Sequence, residues 1–276
     1  MAEPSLLPGP SGSDLHVAFL DTTASPLGVV VVVHGYAEHS GRYRDLAERL
    51  LEAGFSVLLY DHRGFGRSPG PPAYVARIRG LVEDLASIVS RAEARWPNRP
   101  VFMLGHSMGG LIALLCCLDH GTTHLAGLIL TSPLLKTQES PLLQKVATVL
   151  GVLAPRLPTV VLDRDAISRD ETVVAEAKAD PLNYHGRLPA RTGAEFVQGM
   201  KRASEEGHRL DLPLLLIHGT ADTITDPQGS RDLYTTVSSQ HKQLSLYEGS
   251  RHETFNDLDG DRVVEGIVDW LLDSST

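Results

Sequence analysis

Residues 101–110 read Val101-Phe102-Met103-Leu104-Gly105-His106-Ser107-Met108-Gly109-Gly110, and the helix-like segment Leu111–Leu118 follows them. A Gly-x-Ser-x-Gly sequence between an apolar run and a helix is the setting of a nucleophile elbow. Such a turn is so tight that the serine adopts a strained backbone, and the residues two before and two after it must be small. The turn presents the hydroxyl at a helix N-terminus, whose dipole favours a developing negative charge. We therefore predict that Ser107 is a catalytic nucleophile.

Apolar runs alternate with amphipathic stretches along most of the chain. The predicted strands are His16–Leu20, Val29–Val33, Ser56–Tyr60, Pro100–Leu104, Leu125–Thr131, Leu212–Ile217 and Gln243–Tyr247. The predicted helices are Tyr43–Ala53, Val75–Trp96, Met108–His120, Gln228–Ser238 and Asp259–Leu272. The run Val29–Val33 is typical of a strand buried on both faces, and His16–Leu20 is predicted to pair antiparallel. The alternation predicts an α/β fold with a mostly parallel central sheet flanked by helices.

One long segment interrupts this alternation. About eighty residues between Ser132 and Leu212 contain no clear strand and are punctuated by prolines. We predict a core of residues 1–132 and 210–276, and a helical cap (lid) of residues 133–209 above the carboxyl ends of the strands, where ligands bind. The cap contains an apolar stripe at helical spacing. The stripe is predicted either to pack on the domain below or to line an acyl tunnel and touch lipid, and a broad stripe can do both. Its members are Leu142, Leu143, Val146, Val149, Leu150 and Leu153.

A serine hydroxyl needs a base to remove its proton, and a histidine oriented by an acid performs this role at neutral pH. On folds with this elbow, the chain order is serine, then acid, then histidine. Asp222 comes directly after the predicted strand Leu212–Ile217, and His252 follows the strand that ends at Tyr247. We expect both loops to emerge at the same edge of the sheet as Ser107.

Other titratable residues compete less well for these roles. Asp226 is the alternative acid, but its place before Pro227 favours a helix cap. His218 lies inside a predicted strand and is interpreted as a core histidine. His241 is expected to be exposed, and His106 is expected to point into the fold beside the elbow.

The tetrahedral intermediate needs at least two hydrogen-bond donors aimed at its oxygen. We predict that these are the backbone N–H groups of Met108, which follows the nucleophile, and of Tyr36, in the loop after the valine-rich strand. His34, Glu38 and His39 are interpreted as a polar cluster that braces this loop. Metal binding by the two histidines would lack a strong third ligand nearby, so we predict no metal site.

Composition argues against several classes of protein. The net charge is −9 and no block of Lys and Arg is present, so we expect no nucleic-acid partner. The glycine-rich segment Asp61–Ser68 lacks the strand–helix setting of a phosphate loop and is interpreted as a structural turn. Cys116 and Cys117 are interpreted as small buried residues of a helix. We expect a cytoplasmic protein without signal peptide or transmembrane span, with peripheral membrane contact left open.

Five segments together resemble the monoacylglycerol lipase and lysophospholipase-like α/β hydrolases: His34–Tyr43, Asp61–Ser68, Gly105–Gly110, His218–Asp222 and Glu248–Glu253. The resemblance extends from about Leu27 to Leu272. It includes the cap, where Asp180–Gly186 and the following Ala190-Arg191-Thr192 are similar to the cap of that family.

This resemblance implies an α/β-hydrolase fold and hydrolysis of a single fatty acyl ester of glycerol without a cofactor. The acyl chain would lie in an apolar tunnel under the cap, and glycerol would leave by a polar side. The implied site residues are the triad Ser107, Asp222 and His252, the oxyanion donors Tyr36 and Met108, and the substrate contacts Leu143, Leu150, Tyr184 and Arg191.

Three other functions and one side reaction remain open at this point. The chain could be a general carboxylesterase for short-chain or aryl esters, or a lysophospholipase, because the ester chemistry is the same in all of them. Acyl transfer to alcohols could accompany hydrolysis as a side reaction of the acyl-enzyme. A ligand receptor on a hydrolase scaffold is the alternative without catalysis.

Overall fold

The valine run at residues 29–33 alternates between the two faces of a central sheet. In a computed structural model, which describes residues 5–10, 12–22 and 25–275, Val29, Val31 and Val33 pack into one apolar cluster, and Val30 and Val32 pack into another. Both faces of the strand are covered by helices, which explains why every position of the run is apolar.

Eight strands form one sheet within the described residues. They are β1 (Ser5–Pro8), β2 (Asp14–Leu20), β3 (Gly28–Val33), β4 (Phe55–Tyr60), β5 (Val101–His106), β6 (Gly127–Thr131), β7 (Leu214–Gly219) and β8 (Lys242–Tyr247). Their order across the sheet is β1-β2-β4-β3-β5-β6-β7-β8. The strands β3 to β8 are parallel, whereas β2 is antiparallel to β4 and β1 is antiparallel to β2. The predicted mostly parallel sheet is confirmed.

Residues 5–10, 12–22 and 25–275 contain eight α-helices, which cover the sheet or form the segment inserted between β6 and β7. They are α1 (Arg44–Glu52), α2 (Ile78–Arg95), α3 (Met108–His120), α4 (Pro141–Leu153), α5 (Glu171–Ala179), α6 (Ala190–Glu206), α7 (Pro227–Thr236) and α8 (Gly260–Ser274). One face of the sheet is covered by α2, α3 and α7, and the other by α1 and α8. Helix α3 is buried from Met108 to Leu118, because the sheet, α2 and α6 surround it.

The observed elements match the predicted ones within a few residues. Strand β1 was not predicted, because Ser5-Leu6-Leu7-Pro8 is too short to show a periodic pattern and ends in proline. Strands β5 and β7 extend two residues beyond the predicted ends, to His106 and Gly219. Both strands therefore run directly into the turns that carry the candidate site residues.

The long segment between β6 and β7 contains α4, α5 and α6 and no strand of the sheet. Helix α6 lies against α3 and α4, and its Phe196 and Met200 are buried in the apolar cluster on that face. The division into a core of residues 1–132 and 210–276 and a cap of residues 133–209 stays a prediction. Residues 1–4, 11, 23, 24 and 276 of the predicted core lie outside the described residues. Within the described part of the chain, no helix combines the length and apolarity that a bilayer crossing requires.

Candidate active site

The turn between β5 and α3 has the strained geometry that its glycines predict. Ser107 has a φ of 53° and a ψ of −119°, and positive φ is uncommon for residues other than glycine. A Cβ atom on Gly105 would lie 2.6 Å from the carbonyl oxygen of Gly109, and one on Gly109 would lie 2.1 Å from the carbonyl oxygen of Val33. The turn therefore needs glycine at both positions, and it holds Ser107 at the N-terminus of α3.

Asp222 and His252 lie in the loops after β7 and β8 and are joined by a hydrogen bond. Nδ1 of His252 donates to Oδ2 of Asp222 at 2.7 Å, and both side chains are buried. The carboxylate also accepts hydrogen bonds from the backbone N–H groups of Ile224 and Thr225 and from the Thr225 hydroxyl. This arrangement places the proton of the His252 ring on Nδ1 and leaves Nε2 able to accept one. The sheet thus brings Ser107, Asp222 and His252 to the carboxyl ends of three of its strands.

The elbow and the loop after β8 meet beside Ser107. The ring of His106 lies 4.7 Å from the ring of His252, measured between centroids. Within the described residues, the hydroxyl of Ser107 makes no hydrogen bond, and the residue is 8% exposed. Hydrogen bonds between a nucleophile and its base often form only when substrate is present. The hydroxyl is therefore free to face a bound ester.

Charge interactions hold Asp222 ionised and make His252 more basic. Burial disfavours ionisation of Asp222, but the His252 ring and the hydrogen bond from His218 keep the pKa of this carboxyl well below its usual range. Burial would lower the pKa of His252, but the nearby negative charge of Asp222 and its hydrogen bond raise that pKa above the usual value. The carboxylate therefore stabilises the imidazolium that forms when His252 takes a proton.

The loop after β3 passes directly beside the nucleophile. A Cβ atom on Gly35 would lie 3.2 Å from the Cβ atom of Ser107. The Gly35 N–H donates to Oε1 of Glu38 at 2.5 Å, which closes the loop on itself. The carbonyl of Ala37, a residue with a φ of 64°, accepts hydrogen bonds from the Tyr184 N–H and from the side chain of Arg164. The predicted bracing role of Glu38 matches these contacts, while the oxyanion role of the Tyr36 and Met108 N–H groups stays a prediction.

A buried ion pair network that sequence reasoning missed joins this loop to the loop of His252. One nitrogen of the Arg42 guanidinium lies 2.8 Å from Oε2 of Glu38 and 2.5 Å from Oε1 of Glu253, and a second nitrogen lies 2.8 Å from Oε2 of Glu253. Burial opposes ionisation of Glu38, but Arg42 lowers the pKa of that carboxyl to about 2. All three residues lie within segments that carry the family resemblance. No local pattern in the sequence indicated the pairing of Arg42 with Glu253, because it joins two loops that are distant along the chain.

The competing titratable residues have the places that were predicted for them. Asp226 caps α7, because its carboxylate accepts the N–H of Gln228 at 2.9 Å. His241 is exposed. His106 is buried with Nδ1 3.1 Å from the carbonyl oxygen of Thr131, and burial together with the His252 charge lowers its pKa to about 3.

His218 and Thr225 were not expected at the site, yet both contact the acid. His218 is a buried strand residue, as predicted, but its Nε2 lies 3.1 Å from Oδ2 of Asp222. Its other nitrogen lies 2.7 Å from the hydroxyl of Ser230. The Thr225 hydroxyl donates to the same carboxylate at 2.8 Å. Both residues hold Asp222 in position. The sequence feature that could have indicated this contact is their spacing, three and four residues from Asp222.

The predicted substrate contacts in the cap differ in their surroundings. Tyr184 is half-buried, its ring lies 6.4 Å from the Tyr36 ring, and its hydroxyl donates to the carbonyl of Arg187. The guanidinium of Arg191 donates to the carbonyl of Ala76 and pairs with Glu195. Its charge is thus used to fix α6, and contact with glycerol stays a prediction.

The predicted acyl contacts both lie on α4. Leu143 is 54% exposed and Leu150 is half-buried. Most large apolar residues of this helix are exposed, because α4 rests on α6 through its smaller residues, with Gly151 packed against Ala194. The stripe is therefore open to solvent along much of its length.

His39 of the polar cluster and the two cysteines have structural surroundings. Cys116 and Cys117 are free and buried in α3, as interpreted from the sequence. His39 pairs with Asp180 of the inserted segment at 2.7 Å. Among the described residues, no three His, Cys, Asp or Glu side chains are arranged to hold a metal ion.

Comparisons with known proteins agree with this geometry. The sequence profile of the family described as serine aminopeptidase, S33, matches residues 24–259. The chain is 39% identical over 249 residues to a monoacylglycerol lipase of Mycolicibacterium smegmatis, covering 90% of this chain and 89% of that protein. It is 35% identical to the human monoglyceride lipase over 250 residues, covering 90% of this chain and 82% of the relative.

A solved structure extends the similarity to the fold. The crystal structure of a monoacylglycerol lipase of Paleococcus ferrophilus matches with a TM-score of 0.85 and 34% identity, covering 94% of this chain and 99% of that one. The predicted α/β-hydrolase fold and the predicted family are both confirmed. The chain therefore belongs to the serine aminopeptidase S33 family of α/β-hydrolase-fold serine hydrolases, in which it is similar to monoacylglycerol lipases over nine tenths of its length.

Proposed function

We propose that this protein is a carboxylic ester hydrolase that acts through an acyl-enzyme on Ser107, and that it is a monoacylglycerol lipase releasing a fatty acid and glycerol. One observation carries the proposal: His252, buried and hydrogen-bonded to the buried Asp222 carboxylate at 2.7 Å, has its ring 4.7 Å from the ring of His106, the residue before the strained Ser107. The similarity to relatives named monoacylglycerol lipase supports the choice of substrate.

The residues of the site have distinct roles in the proposed reaction. Nε2 of His252 takes the proton of the Ser107 hydroxyl while Oγ attacks the ester carbonyl carbon. The carbonyl oxygen becomes an oxyanion, which accepts hydrogen bonds from the N–H groups of Tyr36 and Met108. Asp222 stabilises the imidazolium ion. When the bond to the alcohol breaks, the alcohol leaves with the proton from His252, and Ser107 carries the acyl group.

Hydrolysis of this acyl-enzyme completes the cycle. Water attacks the acyl carbon, His252 removes its proton, and the returning proton regenerates the Ser107 hydroxyl as the fatty acid leaves. No cofactor takes part in this mechanism. Acyl transfer to an alcohol in place of water uses the same steps.

The substrate class is tested by comparing kcat/KM over a panel of esters. We expect monoacylglycerols with long acyl chains to give the highest values, ahead of short aryl esters and lysophospholipids, because remote acyl contacts contribute to transition-state binding. A control with Ser107→Ala subtracts any contaminating esterase. A short aryl ester that exceeds every monoacylglycerol by more than about tenfold would support a general carboxylesterase instead. A preference of that size for lysophospholipids would support a lysophospholipase.

The inserted segment supports a proposal about where the substrate arrives. We propose that residues 133–209 form a cap above the site and that the exposed stripe of α4 contacts lipid aggregates or a membrane surface. All members of this stripe except the half-buried Leu150 are exposed: Leu142 70%, Leu143 54%, Val146 45%, Val149 55% and Leu153 77%; the neighbouring Val152 is 67% exposed. A contiguous apolar patch on a helix, with its other side packed on the protein, is typical of an interfacial contact.

The substitution Leu142→Asp tests this proposed contact. We expect the variant to bind less to phosphatidylcholine vesicles in sedimentation and to lose activity on emulsified monoacylglycerol, while hydrolysis of a soluble short ester is unchanged. The matched control is Leu258→Asp, since Leu258 is 68% exposed and lies outside α4. Equal vesicle binding by both variants and the unchanged protein would contradict a lipid contact of α4.

A further inference from the structure

The ring of His34, the first residue after β3, has one defined tautomer. The backbone N–H of His62 donates to Nε2 of His34 at 2.9 Å, so this nitrogen must be unprotonated. A neutral imidazole then carries its proton on Nδ1, which lies 2.8 Å from the carbonyl oxygen of Gly35. Burial lowers the pKa of His34, which keeps the ring neutral. Nδ1 is therefore a donor and the Gly35 carbonyl is its acceptor.

The Gly35 carbonyl belongs to the same peptide group as the N–H of Tyr36. Because a peptide group is planar, a hydrogen bond that fixes its C=O also fixes the direction of its N–H. A carbonyl that accepts a hydrogen bond also polarises its amide, and chains of hydrogen bonds strengthen one another inside a protein. The His34 ring thus acts at one end of the peptide whose other end is the proposed oxyanion donor.

We propose that His34 is a positioning residue for catalysis: its Nδ1–H orients and polarises the Gly35–Tyr36 peptide so that the Tyr36 N–H stabilises the oxyanion formed at Ser107. The inference rests on the proposed function, because it needs an oxyanion at this place. This role differs from bracing of the whole loop, because a single hydrogen bond, from Nδ1 of His34 to the Gly35 carbonyl, orients the oxyanion donor. The His34 ring itself does not touch the substrate.

The geometry around this peptide supports the assignment. The Gly35 N–H is held by Glu38 at 2.5 Å, so both peptide groups of Gly35 have a buried partner. The ring of His34 is fully buried and lies against the rings of His62 and Phe65, at centroid distances of 4.5 and 5.7 Å. Packing of this kind prevents the ring from rotating away from the carbonyl.

Two substitutions separate the two hydrogen bonds of the ring. His34→Gln retains an acceptor close to the position of Nε2 but has no donor for the Gly35 carbonyl. His34→Asn places an amide N–H close to the position of Nδ1 but loses the acceptor for the His62 N–H. We expect His34→Gln to lower kcat on a soluble aryl ester by about tenfold, with KM nearly unchanged. This loss of kcat is smaller than the loss of about 10²–10³ caused by removing an oxyanion donor altogether. We expect His34→Asn to retain most of kcat.

A second readout reports the oxyanion directly. A trifluoromethyl ketone forms a tetrahedral adduct with the serine, and we expect its affinity to fall with kcat in His34→Gln but not in His34→Asn. His241→Gln, at an exposed histidine, is the matched control and should leave both quantities unchanged. A loss of kcat in His34→Asn that equals or exceeds the loss in His34→Gln, or no loss in either, would overturn the proposal.

The tautomer can be measured without any substitution. We expect the ¹⁵N NMR spectrum of the His34 ring to show a protonated Nδ1 and an unprotonated Nε2 between pH 6 and 8, and the opposite tautomer would also overturn the proposal.

Ser107→Ala distinguishes failure of the proposed function from failure of the proposed role of His34. If that variant retains turnover, the proposed function fails; if it loses turnover while both His34 variants behave alike, only the role of His34 fails.

Discussion

Replacement of Ser107 by alanine is expected to lower kcat on any ester substrate by a factor of about 10⁴ to 10⁶, because no other group can form the acyl-enzyme. The side chain is 8% exposed and makes no hydrogen bond within the described residues, so its removal leaves no partner unsatisfied. Alanine also has the same backbone restrictions as serine at the observed φ of 53°. We therefore expect the melting temperature to change little. Steady-state kinetics and calorimetry on the same sample measure both quantities.

The matched control for this variant is Ser132→Ala. Ser132 is also fully buried, has a φ of 42° and lies at the end of a neighbouring strand, but nothing places its hydroxyl in the reaction. We expect this control to retain full activity. If Ser107→Ala keeps more than about 1% of kcat, the acyl-enzyme mechanism is wrong. If the unchanged protein turns over no ester at all, a ligand receptor is the better description of the chain.

Replacement of Asp222 by asparagine is expected to lower kcat by about 10⁴, since the asparagine amide favours the wrong tautomer of His252. The variant should also change the pH profile of kcat/KM. His252 must be neutral to act as a base, and Asp222 raises its pKa above the usual value, so activity of the unchanged protein falls as pH drops through that raised pKa, above about 6.5. Without the carboxylate, burial lowers the pKa of His252 and is opposed only by the weaker effects of the Glu253 and Glu38 charges. The acid limb of the variant should move to lower pH.

Asp226→Asn is the control for that substitution, because the two aspartates are four residues apart and competed for the role of the acid. Asp226 caps α7 with its side chain, and asparagine is an equally good N-cap. We expect kcat and the acid limb of this control to match those of the unchanged protein. A loss of activity in Asp226→Asn comparable to that in Asp222→Asn would mean that the acid has been misassigned.

The parts of the site that follow from strand ends could be predicted from the sequence. Ser107, Asp222 and His252 each lie within five residues of the end of a strand, and parallel strands bring such positions to one edge of the sheet. The order of the three along the chain indicated an acid between Ser107 and His252, and the place of Asp226 before Pro227, typical of a helix cap, then favoured Asp222. The cap helix α4 was recognised by its periodicity, but a periodic stripe does not reveal which of its sides meets the protein.

Contacts between distant polar side chains could not be predicted in this way. The pairing of Arg42 with Glu253 depends on how two loops approach each other in space, and no local pattern records it. The contact of His218 with Asp222 was missed because a strand histidine is usually a core residue. The guanidinium of Arg191 is bound to Ala76 and Glu195, and only the packing of α6 against the core could reveal that.

The link between Arg42 and Glu253 also has a consequence for how the protein acquires activity during folding. The two residues are 211 positions apart, so this contact closes a loop that contains most of the chain. Such contacts form late, because the entropy of ordering the intervening chain must be lost first. The elbow can form locally, but the loops that carry the proposed oxyanion donor and His252 are joined only after β8 has been added to the sheet. Regain of esterase activity should therefore trail the regain of helical circular dichroism during refolding, and a nascent chain that stops before β8 would be inert.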